Sequence, residues 1–323
     1  MEKSLNVNSL FQSLQSELTQ LDEERDVTRR AINKMSLVWI PPLIITIGVA
    51  IWSLTLDTQV PFFVLLIVFF ILLIIWAGKR AKLISVFAKS FKLKVIDKII
   101  KKIDPTFAYR PDQVKYSGNW SPKLAHLGKI NLLPDFQDVW EEDIISGTIR
   151  DNKFELSEIR MDYGRGKQRK TVFRGILVTV VLNNSLPSPI YILPDSANSL
   201  RDGLWKMLNL KSKRGAVVLL NHEPFEKLFK VYAEDPGLPA SLLKNHVLER
   251  LVMIHGIVTS MNGIRDSIRI AFSDNSITIA IKLNTNLFEP RLYKPINDQA
   301  YFESNVNYLV LFLGLIDDLN LSR

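Results

Sequence analysis

Polar and apolar residues change rhythm three times along the chain. Residues 1–35 are mostly polar, with Phe11, Leu14, Leu18 and Leu21 at spacings of 3, 4 and 3. That rhythm predicts a helix with a narrow apolar seam, of the kind that packs helix on helix. The seam ends at Arg25, so this polar helix reads as packing on its own cytosolic domain, with a short oligomerisation coil as the alternative. From Leu37 to Ala77 the alternation disappears. Two apolar runs meet at Asp57-Thr58-Gln59, and Asp57 is the one ionisable side chain between Lys34 and Lys79. About 20 helical residues cross a hydrocarbon core, so residues 36–78 read as a transmembrane helical hairpin. From 79 to 104 periodicity returns. Ile84, Phe87, Phe91, Val95 and Ile99 recur every three or four residues with lysines between them. Such a basic amphipathic helix can lie in the membrane interface or continue span two as a stalk. Asp104-Pro105 ends it, because proline disfavours helix in the residue before it.

Residues 105–323 read as one soluble α+β domain. Lys123 to Ile130 predicts a helix. IISGTI and FELSEIRMDY predict strands joined at Asp151-Asn152, and VFRGILVTVVL predicts a central strand. PIYILP and AVVLL are shorter strands, residues 198–210 look helical, and PFEKLFKVYAEDP is of uncertain type. A helix from about Pro239 carries Leu242, Leu243, Val247, Leu251 and Ile254. DSIRIAF and SITIAIKL alternate on either side of Asp274-Asn275, a good hairpin turn. A last helix runs from about Asp298 to Leu319, and its apolar stretch YLVLFLGLI is too short to span a bilayer. Hairpin-linked strands with helices among them predict an antiparallel sheet covered on one side by helices.

Charge sharpens the membrane reading. The net charge is +8, and the segment Lys79–Lys102 alone carries nine basic residues against one acid, so the rest of the chain sums to about zero. Arg25, Arg29, Arg30 and Lys34 precede the hairpin, and the turn has no basic residue. Lysine and arginine concentrate on the cytoplasmic side, so both termini are expected there, at a bacterial inner membrane, with Asp57 outside. Trp39, Trp52 and Trp76 fall near span ends, where indoles prefer the headgroup level. Pro41, Pro42 and Pro61 fall in the first turns of the spans, where proline costs least. No charge lies deep in either run, which points to a tether and not a conduit. The first run is too long, and begins too far in, for a signal peptide. There is no cysteine, which excludes disulfides, thiolate nucleophiles and Cys-ligated metals.

Candidate chemistry is sparse. The four histidines are His126, His222, His246 and His255; His246 and Glu249 fall on one predicted helix face, without the further ligands a metal needs. Glu141-Glu142-Asp143 lacks the alternation of a calcium loop. Gly164-Arg165-Gly166-Lys167-Gln168-Arg169-Lys170 is basic but is no P-loop, and no GxSxG or Rossmann GxGxxG occurs. Neither catalytic residue, metal nor cofactor is expected, and basic and aromatic residues do not interleave as nucleic-acid platforms do. The candidate contacts are with anionic lipid: Lys79, Arg80, Lys82, Lys89, Lys92, Lys94, Lys98, Lys101 and Lys102, with Arg165, Lys167, Arg169 and Lys170.

Three stretches carry a family likeness: EEDIISGTIRDNKFELSEIRM, VFRGILV, and VVLLNHEPFEKLFKVYAEDPGLPASLLKNHVLERL. They resemble the bacterial membrane-anchored domain-of-unknown-function family 3137, at Asp143, Gly147, Phe173, Gly175, Phe225, Glu226, Phe229, Val231, Tyr232 and Asp235. Ile176-Leu177 departs from it, since aromatic residues are more usual there. The resemblance implies an N-terminal segment, two spans and a soluble domain. It brings no catalytic residue, because the family has no established activity. In this chain the two glycines read as bulges or close backbone approaches, the aromatics as core anchors, and Glu226 and Asp235 as candidate partners of Arg174. The leading functional reading is a membrane-anchored cytosolic module, not an enzyme, that binds a protein partner, a second copy or the membrane surface. The alternatives are a membrane-surface enzyme using Asp, Glu, His and Arg, and an anionic-lipid sensor; the sequence names no small-molecule ligand.

Overall fold

The computed structural model describes residues 7–55, 60–195, 214–264, 267–284 and 286–319. The expected turn at Asp57-Thr58-Gln59 and the expected helix at 198–210 lie outside the described residues. The chain divides into two compact units: a helical unit of residues 7–99 with Glu289–Ser304, and a sheet unit of residues 100–288 and 305–319.

In the helical unit, α1 (Val7–Ser13) leads into α2 (Gln15–Ser53), which returns as α3 (Val60–Phe91). Both long helices are apolar enough over eighteen residues to cross a membrane. Pro41 and Pro42 are interior to α2, not at its start. Proline carries no N–H, so each removes one rung from the α2 ladder within the part of the helix that pairs with α3. The seam does not end at Arg25. Leu14, Leu18, Leu21, Arg25, Ile32, Leu43, Ala50 and Ser53 are all buried, keeping a three-and-four rhythm into the apolar run. Arg25 stays in it by pairing with Asp22 at 3.3 Å and Asp26 at 2.9 Å.

Beyond the apolar run, α3 continues without a break into the basic segment, through a π-helical turn at Lys92–Ile96 to α4 (Asp97–Ile103). Phe87, Phe91, Val95 and Ile99 are buried in protein. The segment thus prolongs the second long helix. The π turn rotates the helix so that Lys92, Val95 and Ile96 are all buried.

Among the described residues the sheet unit is built on ten antiparallel strands in the order β1-β3-β4-β5-β10-β9-β6-β8-β7, with β2 also paired to β3. The strands are β1 (Ala108–Arg110), β2 (Val114–Ser117), β3 (Asp138–Ile149), β4 (Asn152–Tyr163), β5 (Lys170–Val181), β6 (Ile190–Pro194), β7 (Ala216–Val218), β8 (Phe229–Ala233), β9 (Ile268–Ser273) and β10 (Ser276–Lys282). The β3–β4 turn sits one residue earlier than expected. Arg150 and Asp151 both have positive φ, the geometry of a two-residue hairpin turn, and Asn152 pairs with Ile149.

The uncertain segment becomes α6 (Glu223–Glu226) followed by strand β8. The helix expected from Pro239 splits into α7 (Gly237–Leu242) and α8 (Asn245–Asn262). The closing helix is α9 (Gln299–Asp318). The α+β class holds, but helices occupy both sheet faces. Helix α5 (Pro122–Ile130), capped by the Ser121 hydroxyl, packs Leu124 and Leu127 on Val139, Ile159, Met161 and Phe173. The opposite face presents Ile192, Val231, Ile270 and Ile279, and Phe229 on that face meets His255 of α8 with ring centres 5.6 Å apart.

Candidate functional site

Strand pairing decides which polar residues meet. Lys115 of β2 and Arg160 of β4 are the cross-strand neighbours of Trp140 on β3. Their cationic groups lie 5.1 and 4.2 Å from its ring, and Arg169 joins at 4.5 Å. Arg169 is therefore committed to the protein: it also binds Asp162 at 2.8 Å and Asp138 at 3.1 Å. The Ser117 hydroxyl, with Arg169 and Lys115 beside it, outweighs desolvation and holds the Asp138 carboxyl below its ordinary range. One step along the strands, Trp140, Glu142, Glu158, Arg160 and Arg174, with Gln113 and Asn286, line a cavity of about 120 Å³. Arg174 binds Asn286 there, not Glu226 or Asp235. The recess sets two carboxylates, Glu142 and Glu158, among two guanidinium groups, Arg160 and Arg174.

Under α5 lies a second polar cluster. Lys123 Nζ donates to Glu141, to Glu155 at 2.5 Å and to Ser157 Oγ at 3.1 Å. Glu141 and Ser157 are buried. Burial, reinforced by the Glu141 carboxylate, pushes the Tyr116 phenol up. These three contacts from one side chain tie α5 to β3 and β4. The sequence held no signal for this set, because Lys123, Glu141 and Glu155 meet only once β3 and β4 are in register.

The motif residues sit at points of close packing. Asp143 has a φ of 54° where the β3–β4 register slips, and accepts a bond from Tyr109. A Cβ on Gly147 would come within 2.4 Å of the Phe107 ring, and one on Gly175 within 2.0 Å of the Ile281 carbonyl oxygen. Phe173 is in the core under α5, with Tyr232 packed against it. Phe225 stacks on Phe229 at 5.1 Å, and Glu226 accepts from the Leu220 and Asn221 amides at 2.7 and 3.0 Å. Asp235 accepts from the Gly237 amide.

The basic segment is partly engaged too. In the helical unit Lys92 pairs with Glu289 at 3.1 Å, Lys94 with Glu24 and Lys98 with Glu17, both at 2.5 Å. In the sheet unit Lys101 donates to the Phe107 carbonyl at 2.5 Å. Lys79 lies over the Trp39 ring and Arg80 over Trp76, at 5.2 and 5.8 Å. Lys82, Lys89, Lys102, Arg165, Lys167 and Lys170 are exposed.

His126 meets Ser276 at 3.0 Å, His222 accepts from the Phe225 amide at 3.3 Å, and His246 is exposed beside a hollow of about 450 Å³. Among the described residues no histidine belongs to a cluster able to hold a metal.

The model of a family described as a protein of unknown function, DUF3137, matches residues 171–321. The match takes in Phe173, Gly175 and the Phe225–Tyr232 element, while Asp143 and Gly147 precede it. A similar solved structure is that of the mycobacterial trehalose monomycolate transport factor A, at 11% identity and a TM-score of 0.32, covering 73% of this chain and 98% of that one. No curated protein matches.

Proposed function

We propose that this chain is a membrane-anchored interaction module. Its hairpin lies in a bacterial inner membrane with both flanks cytoplasmic, and its sheet unit is the part offered to a protein partner or a second copy. One observation carries the anchoring. Apolar side chains face outward around both long helices, with Ile44 and Ile45 each 63% exposed and Ile74 68%. In water such a surface is strongly unfavourable, at roughly 25 cal/mol per Å². In hydrocarbon it is the expected state, and both backbones already satisfy their own hydrogen bonds. The basic flanks support the orientation.

The cysteine-free chain makes the test clean. Thr55→Cys and Ser85→Cys place single thiols on either side of the second apolar run. Thr55→Cys should react with an impermeant maleimide on intact spheroplasts, and Ser85→Cys only after lysis. Release of the protein by alkaline carbonate, or equal labelling of both sites, overturns the reading. Proximity labelling from the C-terminus should then return a recurrent protein neighbour, this chain included; a bait-independent background overturns the interaction half.

A further inference from the structure

The segment Glu289–Ser304 is far from the hairpin in sequence, yet it folds within the helical unit. Several contacts hold it there. Glu289 pairs with Lys92, the Ile296 amide donates to Asp22 at 2.7 Å, and Phe302 meets Phe11 with ring centres 5.4 Å apart. Leu292 and Ile296 are buried. Between these two anchors, Tyr293, Lys294 and Pro295 are left exposed, Tyr293 by 61%.

The level at which Tyr293 is held is informative. Its hydroxyl lies 3.5 Å from an Arg80 guanidinium nitrogen, and that same guanidinium lies over the Trp76 ring. Trp76 and Trp39 mark the end of the apolar run, with Lys79 over Trp39. Tyrosine beside tryptophan at such a level is the arrangement found at the headgroup layer, where an apolar ring and a polar tip are both accommodated. The acidic residues beside this loop, Glu289 and Asp22, are taken up by Lys92 and by the Ile296 amide. Lys79, Arg80, Lys82 and Lys294 are basic, and no acidic residue occurs from Trp76 to Ile96 or from Val27 to Leu56.

We infer that the Tyr293–Lys294 loop is a third membrane contact, which together with Lys79 and Arg80 binds the phosphate headgroups of anionic phospholipid. The inference rests on the anchoring reading. It gives the excursion a purpose: a loop from late in the chain is brought to the bilayer beside span two. Lys294 and Arg80 supply charge, and Tyr293 supplies a ring for the interface and a hydroxyl for a phosphate oxygen.

The test uses the full chain in nanodiscs of phosphatidylglycerol or of phosphatidylcholine, with an environment-sensitive fluorophore on Tyr293→Cys, Gln299→Cys or Ile44→Cys. The expected result is loss of fluorescence at 293 with headgroup spin-labelled lipid, larger in phosphatidylglycerol and reduced by Arg80→Gln with Lys294→Gln. Gln299, bonded to Asn8 and Glu303, should keep its signal. Ile44 should be quenched by chain-labelled lipid in both discs. Quenching at 44 without quenching at 293, equal quenching at 293 in the two lipids, or competition at 293 by free inorganic phosphate overturns the inference. An unquenched Ile44 overturns the anchoring reading first, and this inference with it.

Discussion

Helices α2 and α3 each have two regions, and the contrast between them is the most instructive feature of the molecule. Outside the apolar run a narrow seam is buried, with Leu18, Leu21, Phe87 and Phe91 inside and charged residues around it. Within the run the seam continues through Leu43, Ala50 and Ser53, while the residues around it become as apolar as the seam itself. On the proposed anchoring, the same packing rhythm is set in two solvents. In water the hydrophobic effect drives the seam together. In lipid there is no such drive, and close approach of small residues such as Ala50 and Ser53 takes its place.

The largest expected effect breaks the water-side region. Phe91→Ala should destabilise the protein in detergent by about 3–5 kcal/mol, because it empties a filled site. Ile44→Ala should change the same denaturation midpoint little, since that side chain faces out. Similar losses at both sites would erase the distinction.

The lysines obey the same division. Lys123→Ala strands the buried Glu141 carboxylate and should cost the sheet unit about 3 kcal/mol in a thermal melt. Lys82→Ala, at an exposed site, should leave the melt within about 0.5 kcal/mol. A destabilisation by Lys82→Ala equal to that of Lys123→Ala would show that the juxtamembrane charge is structural.

Of similar size is the penalty on the lipid side. Ile44→Lys puts a cation inside the apolar run and should lower insertion by about 2.5–3.5 kcal/mol, read as the fraction resisting carbonate extraction. Unchanged insertion would mean that Ile44 meets water.

The smallest expected effect is on pH. Asp138 has a folded pKa below its unfolded one, so its contribution is full above about pH 4 and is lost as pH falls through the folded value. Acidification from pH 5 should therefore loosen the β2–β3 edge, seen as faster amide exchange at Val114–Ser117, and Asp138→Asn should remove that dependence. Insertion of the hairpin should stay flat over the same range. Exchange that is independent of pH would count against the Ser117–Asp138–Arg169 linkage.

Much of the architecture was legible because its signals are local. Lys123 to Ile130 read as the helix that is α5, Asp274-Asn275 as the β9–β10 turn, and uninterrupted apolar residues as the two long helices. What escaped depended on pairing. The seam looked finished at Arg25 because a charged residue there is polar by type, though its partners keep it buried. Within the apolar run no contrast marks a seam at all. Trp140 gathers three cations only after β2, β3 and β4 are in register, and Lys123 finds Glu141 and Glu155 the same way. The motif residues read in the sequence as packing positions, without their particulars. A glycine announces close approach, yet only the fold shows the Ile281 carbonyl in its way.

A nitroxide scan along α2 in nanodiscs, one cysteine at a time from Gln15 to Ser53, tests this two-solvent account most directly. From 37 to 53 every outward position should be accessible to oxygen and closed to an aqueous nickel reagent, with weak protection at 43, 50 and 53. From 15 to 36 nickel access should alternate, with protection at 18, 21, 25 and 32. Nickel access around the whole helix beyond Leu37, or an absence of periodic protection before it, would contradict the account.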